Sequence, residues 1–189
     1  MKGFCFQNPE NGFSFKHHLF SQYMLKIYQA TESQLIEVQK IAQITWPHTF
    51  RNILTPSQID YMMEWMYTLD SLKSQVKDKK HVFLLAEEHS KYIGYCSYEL
   101  NCADSSKVKI HKIYLLPDAQ GHGVGKKLIS EVEKIAKVNQ FDAIYLNVNR
   151  FNNKAIHAYL ALGFYEIKRE VIALENGFVM DDIVMEKKI

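Results

Sequence analysis

The stretch KIHKIYLLPDAQGHGVG, Lys109 to Gly125, holds the residues whose types and spacing best suit chemistry. Gly121, Gly123 and Gly125 alternate in a loop that follows an apolar strand pattern and Pro117, and a helical period begins straight after them. A strand leading through glycines into a helix N-terminus presents backbone N–H groups to an anion. No Ser, Thr, Asp or Asn stands between Gly121 and Gly123 to cap that helix, so its free N–H groups and its dipole call for a ligand. Glycine also lets the backbone approach a pyrophosphate with no Cβ in the way. Spacing excludes two phosphate-binding designs. A Walker loop needs four residues between its first glycine and Gly-Lys, then Ser or Thr; here three intervene before Gly125 and Lys127 takes the hydroxyl's place. A dinucleotide fingerprint reads G-x-G-x-x-G near the first strand, not G-x-G-x-G in mid-chain. What remains is Q/R-x-x-G-x-G/A after a strand, matched by Gln120, Gly123 and Gly125.

A second motif follows. A short strand ending Asn147-Val148-Asn149 leads into N-x-x-A-x-x-x-Y-x-x-x-G-F at Asn152, Ala155, Tyr159, Gly163 and Phe164. With the glycine loop and the I-Y-L-L-P strand end, this resembles the GCN5-related N-acetyltransferase (GNAT) superfamily, and the element order from about Met24 to Ile189 fits its fold. The segment TWPHTFRNILTPSQIDYMMEWMY also resembles the PaiA-like branch of bacterial polyamine acetyltransferases.

The resemblance implies an acetyl-CoA-dependent enzyme that acetylates a primary amine in a ternary complex, without a metal. It implies that Gln120, Gly121, His122, Gly123, Val124 and Gly125, with Lys126, hold the pyrophosphate. Backbone groups around Tyr114, Leu115 and Leu116 would pair with the pantetheine arm, and one N–H would polarise the acetyl carbonyl; Pro117 has no N–H to offer. Asn152 matches an asparagine near the cofactor, and a helix cap explains it equally well. Tyr159 corresponds to the tyrosine whose hydroxyl bonds the leaving sulfur, although packing in the row of Ala155 and Gly163 accounts for it too. An alkylamine with a pKa near 10.4 is deprotonated about one part in 2,500 at pH 7, a cost of roughly 4.6 kcal/mol, so a base is useful. His111 shares a strand face with Ile113 and Leu115 by period 2 and stands where many relatives carry a glutamate base; Glu99 and water are the alternatives. A small amine such as a polyamine is the first acceptor, with a protein or peptide amine, or a non-catalytic CoA-binding regulator, as rival readings. Trp46, His48, Phe50, Glu64, Tyr95 and Glu99 are candidates for the acceptor wall, and Glu64, Glu99, Asp181 and Asp182 for holding distal cations.

These residues need a scaffold, and the pattern supplies one. A strand opens near Met24. Thr31 with Gln34 makes a capping-box pattern before a helix carrying Leu35, Val38, Ile41 and Ala42, which Trp46-Pro47 should end. Thr55-Pro56 begins a second helix and Ser71 to Lys80 forms a third. His81–Glu87 and Lys91–Leu100 read as a hairpin, Lys107–Leu116 as the loop-bearing strand, and Val124–Val138 as an amphipathic helix. Ala143–Val148, a helix capped by Asn152 or Asn153 and closed by Gly163, and a hairpin of Phe164–Leu174 with Phe178–Lys188 complete the chain. The fold class is mixed α/β: by resemblance, a mainly antiparallel central sheet of about seven strands flanked by helices, the acyl-CoA N-acyltransferase fold. Residues 1–23 read as an N-terminal extension, or else as a hairpin covering a sheet edge, with the acetyltransferase domain over 24–189.

The 189 residues suit one domain with a single substantial core. Basic and acidic residues number 23 and 21 and are interspersed, without the basic stripe of a nucleic-acid binder. Cys5, Cys96 and Cys102 show neither metal nor disulfide spacing and point to a reducing, cytoplasmic setting. No apolar run reaches the ~20 residues of a membrane span, so no membrane partner is expected. A homodimer is the default for self-association.

Overall fold

The computed structural model describes residues 25–104 and 106–189. The reading of residues 1–23 as an extension lies outside them. Within the described residues seven strands form one sheet: β1 Lys26–Gln29, β2 Val82–Glu88, β3 Lys91–Leu100, β4 Lys107–Leu115, β5 Ala143–Asn149, β6 Tyr165–Ala173 and β7 Val179–Lys188, in the order β1-β2-β3-β4-β5-β7-β6. Every pairing is antiparallel except β4 with β5. Among the described residues five helices flank it: α1 Leu35–Phe50, α2 Pro56–Tyr67, α3 Leu69–Lys77, α4 Val124–Val138 and α5 Asn153–Ala161. No helix among the described residues is long and apolar enough to cross a membrane.

Alternation along the strands divides the core between two faces. On β2, Leu84 and Ala86 join Leu128, Val132 and Ala136 of α4, whereas Phe83 and Leu85 join Leu35, Val38 and Ile41 of α1 on the other side. Helix starts are chemically specified. Thr55 Oγ1 accepts from Gln58 N with Pro56 in the first turn, Thr68 Oγ1 accepts from Ser71 N, and Asn152 Oδ1 accepts from Ala155 N. Gly163, at φ +89°, closes α5 in the left-handed conformation that glycine adopts most easily, and Phe164 N then bonds back to Tyr159 O.

The third helix runs Leu69–Lys77 rather than from Ser71 to Lys80, and the expected end of the first helix is wrong. Pro47 does not stop α1, which runs on to Phe50. Trp46 and Phe50 are buried with ring centroids 4.5 Å apart, and Trp46 Nε1 donates to the Tyr67 hydroxyl at 2.8 Å. Those tertiary contacts outweigh the hydrogen bond lost at proline.

Two features shape the middle of the sheet. The β3–β4 register pairs Ser97 with Lys112 but Tyr98 with Ile110, so His111 is a bulge residue with no partner. The parallel β4–β5 pairing covers only Lys107–Ile110 against Ala143–Leu146. A bulge bends and twists its strand, and this one lies where β4 leaves β5. The sheet opens there into a wedge.

Candidate active site

The wedge is a cleft of about 820 Å³ whose walls include Trp46, Phe50 and Met62 from α1 and α2, Lys112 and Tyr114 from β4, the glycine loop, and Tyr159 from α5. At one end, Gly121 and Gly123 take φ +83° and +79°. A Cβ built on either would meet nothing within 4 Å, so the space beside the loop is open. Gly123 caps α4 with no side-chain hydrogen bond. The first intrahelical bond is Lys127 N to Gly123 O at 3.1 Å, which leaves the N–H groups of Val124, Gly125 and Lys126 without partners inside the helix. Gln120 ties the loop down: its Nε2 donates to Leu115 O at 3.2 Å, and its Oε1 accepts from Lys154 Nζ at 2.6 Å. Two lysines, Lys126 and Lys154, therefore stand on this wall, while Asp118 is exposed and outside it. Open glycines, uncapped N–H groups and nearby ammonium groups fit a pyrophosphate.

Along β4, Leu116 N donates to Ile93 O at 2.9 Å, so that N–H faces β3 and is not available to the cleft. Strand alternation turns the N–H of Leu115, and of Ile113, into the gap that β5 has vacated. At the centre, Tyr114 lies 5.9 Å from Trp46 and 5.7 Å from Tyr95, ring to ring. Tyr159 packs against Phe164 at 5.7 Å, and burial raises its hydroxyl pKa above the ordinary tyrosine value. Asp182 of β7 is buried yet lines the cleft; burial pushes its pKa up to about 6, against a lowering hydrogen bond from Asn147.

Of the residues expected from sequence, His111, Tyr114, Leu115, Gln120, Gly121, Gly123, Gly125, Lys126, Asn152 and Tyr159 meet on this cleft. Leu116, His122 and Val124 do not line it; Val124 is buried in the core and His122 is exposed. Trp46, His48, Phe50 and Asp182 line it, but Glu64, Tyr95, Glu99 and Asp181 do not.

His111 is placed differently from its period-2 expectation. Ile113 and Leu115 pack on the α4 face, but the bulge turns His111 the other way. There it stacks on His81 at 3.8 Å and 20°, with Nε2 2.9 Å from Glu99 Oε2. Burial, then His81 and three lysines, lowers its pKa to about 2; burial lowers that of His81 to about 3. Such imidazoles are neutral and weakly basic. His81, Glu99 and His111 bring ligand atoms within 4.8 Å of one another, the described residues' one such group. Nearly parallel rings 3.8 Å apart aim their in-plane lone pairs side by side, so they do not converge on one ion without reorienting.

Sequence reasoning missed Lys112. It is buried on the α1–α3 face, Nζ donates to Gln75 Oε1 at 2.7 Å and lies 5.7 Å from the Tyr67 ring centroid. Polar and apolar residues alternate along KVKIHKIYL until His111 and Lys112 stand side by side; that break was the available signal, hidden by the assumption of unbroken alternation.

The sequence profile of the acetyltransferase (GNAT) family matches residues 38–164. The spermidine N(1)-acetyltransferase of Thermoplasma acidophilum is 24% identical over 173 residues, covering 87% of this chain and 97% of that protein. The crystal structure of the PaiA N-acetyltransferase from Thermoplasma acidophilum in complex with coenzyme A superposes with a TM-score of 0.72 at 24% identity, covering 88% of this chain and 99% of that one. The ribosomal-protein-S18-alanine N-acetyltransferase of Escherichia coli has the same fold, with a TM-score of 0.66 at 17% identity, covering 88% and 94%. With its family profile spanning both the glycine loop and the Tyr159 helix, the chain belongs to the GNAT family of acetyl-CoA-dependent N-acetyltransferases.

Proposed function

We propose that the protein acetylates the primary amine of a small cationic acceptor, a polyamine in the first instance, by direct attack within a ternary complex. The observation that carries this reading is Asp182. It is 4% exposed, lines the cleft, and has no ion-pair partner among the described residues, whereas its neighbours Asp181 and Glu170 are paired with Arg150 and Lys168. A buried, unpaired carboxylate is costly, and an entering ammonium relieves that cost. Tyr114, Tyr67 and Trp46 add aromatic faces that suit a cation.

In this reading Gln120, Gly121, Gly123, Gly125 and Lys126 grip the pyrophosphate of acetyl-CoA, with His122 and Val124 contributing only backbone. Asn152 contacts the cofactor while its Oδ1 caps α5. Leu115 N–H faces the gap and serves as donor to the acetyl carbonyl oxygen; Tyr114 and Leu116 shape the strand around it. Tyr159 places its hydroxyl against the leaving sulfur, which it stabilises as charge develops. Asp182 holds a distal ammonium of the acceptor, not the amine that is acetylated. The similarity to a spermidine acetyltransferase supports a polyamine, although the same fold in an alanine N-acetyltransferase shows that the fold alone does not choose the acceptor.

The test is free-thiol release from acetyl-CoA with putrescine, spermidine, spermine, amino acids and peptides bearing free N-termini. Spermidine or spermine is expected to give the highest kcat/KM, and Asp182→Asn to raise their KM by about tenfold, the scale of a lost charge-assisted contact. Preference for a peptide N-terminus overturns the small-amine assignment; tight CoA binding with no thiol release from any amine favours a regulator.

A further inference from the structure

Among the described residues Lys112 is the one buried lysine or arginine, 8% exposed. Its direct partner is a neutral amide, Gln75 Oε1 at 2.7 Å. Glu99, the carboxylate of this neighbourhood, is engaged by His111 at 2.9 Å. The remaining groups around it are cationic or neutral: Lys79 beyond α3, Lys109 and His111 on β4, His81 ahead of β2, and the ring of Tyr67 at the end of α2. A buried ammonium without a counter-ion is disfavoured, so this position selects the free amine. Burial, followed by Lys79 and Lys109, lowers the Lys112 pKa to about 7.

Its location is as telling as its surroundings. Ile110 is the last β4 residue paired with β5, His111 is the bulge, and Lys112 is the next residue. It lines the cleft two positions before Tyr114, on the face where Trp46 and Phe50 of α1 and Met62 and Tyr67 of α2 line it too. His111 and His81 are poor bases, with the Nε2 of His111 already on Glu99. We infer that Lys112, as the neutral amine, is the base that deprotonates the acceptor ammonium. This rests on the acetyl-transfer reading above and adds a residue to it. The first proton passes from the acceptor ammonium to Lys112 Nζ and then to solvent. The freed amine forms a C–N bond to the acetyl carbon as the C–S bond breaks. The second amine proton goes to the departing sulfur, which leaves as the thiol of CoA. A base whose pKa lies near working pH suits such a transfer.

The experiment has two arms. In the first, the full-length protein is trace-labelled with substoichiometric acetic anhydride across pH 5.5–10.5, and the Lys112 peptide is quantified by mass spectrometry; no acceptor is needed. A labelling midpoint near pH 7 is expected, and one above about 9 overturns the inference whatever the acceptor. In the second, thiol release is followed against pH for wild type, Lys112→Met and Lys112→Arg, with CoA affinity measured by calorimetry as the folding control. Wild-type kcat/KM should rise through an acid limb near pH 7. Both variants should lose about 10²-fold or more in kcat and lose that limb, the usual range for a removed general base, with the Kd for CoA changed less than threefold. Activity of Lys112→Arg within threefold of wild type, or an unmoved acid limb, overturns the assignment. Selective loss of carboxylate-bearing acceptors in Lys112→Met also overturns it, because the lysine would then be an anion anchor. Absence of turnover with every amine, alongside a midpoint near 7, overturns the acceptor reading and leaves Lys112 supported as a free amine.

Discussion

At the scale of single residues, the site depends on side chains placed by backbone irregularities. Tyr159 owes its position to Gly163, whose left-handed turn brings Phe164 behind the tyrosine ring. Tyr159→Phe keeps that packing and removes only the hydroxyl. The expected result is a kcat reduced by about 10²-fold, the scale for loss of one preorganised donor, with CoA affinity within threefold by calorimetry; equal turnover would assign the tyrosine to packing. The types of most cleft residues were legible in the sequence, because glycine spacing and the Asn152-to-Phe164 motif are local signals. The placements of His111 and Lys112 were not. Period 2 fails across a bulge, and the bulge at His111 follows from how β4 registers against β3, a non-local fact.

At the scale of elements, the wedge depends on how closely β3 and β4 approach. A Cβ on Gly94 would lie 2.3 Å from Leu115 Cδ2 and 2.9 Å from the Tyr114 carbonyl oxygen. The leucine tip has room to turn, but the carbonyl belongs to the strand. Gly94→Ala should therefore push β4 toward the gap, destabilise the protein by about 1–3 kcal/mol as overpacking does, and weaken CoA binding; urea unfolding and calorimetry read the two effects. An alanine variant with unchanged stability would mean that β4 yields freely. Helix and strand order was readable from caps and periodicity, as at Thr55-Pro56 and Val124–Val138. The end of α1 was not, since its last turn is held by the meeting of Trp46 with Tyr67, 21 residues further along the chain, which outweighs the local effect of Pro47.

At the scale of the whole molecule, buried titratable groups make stability depend on pH with a definite sign. His81 and His111 have depressed pKa values in the folded state, about 3 and about 2. Below their unfolded value near 6.5 the unfolded chain takes up protons that the folded one refuses, so their contribution is present above pH 6.5 and is lost as pH falls. Each contributes about 1.4 kcal/mol per pH unit in that window. Asp182, raised to about 6, acts in the opposite sense and offsets one imidazole between about pH 6 and 4. Unfolding free energy should thus fall by about 2–3 kcal/mol from pH 6.5 to 5. His81→Phe should leave the profile nearly flat between pH 6 and 5, where Asp182 offsets His111; an unchanged slope in urea titrations would place the acid sensitivity elsewhere.

The short β4–β5 seam has a further consequence. Only four positions on each strand are paired, so the β1–β4 and β5–β7 halves of the sheet are joined by few rungs. In the language of amide exchange, Ile113 and Leu115 sit in mid-sheet yet lack a strand across from their gap-facing N–H groups, and they should trade hydrogen for deuterium as readily as an edge. Any occupant that accepts those N–H groups takes the place of the missing strand, and slowed exchange at these two amides would report occupancy of the cleft without a single turnover.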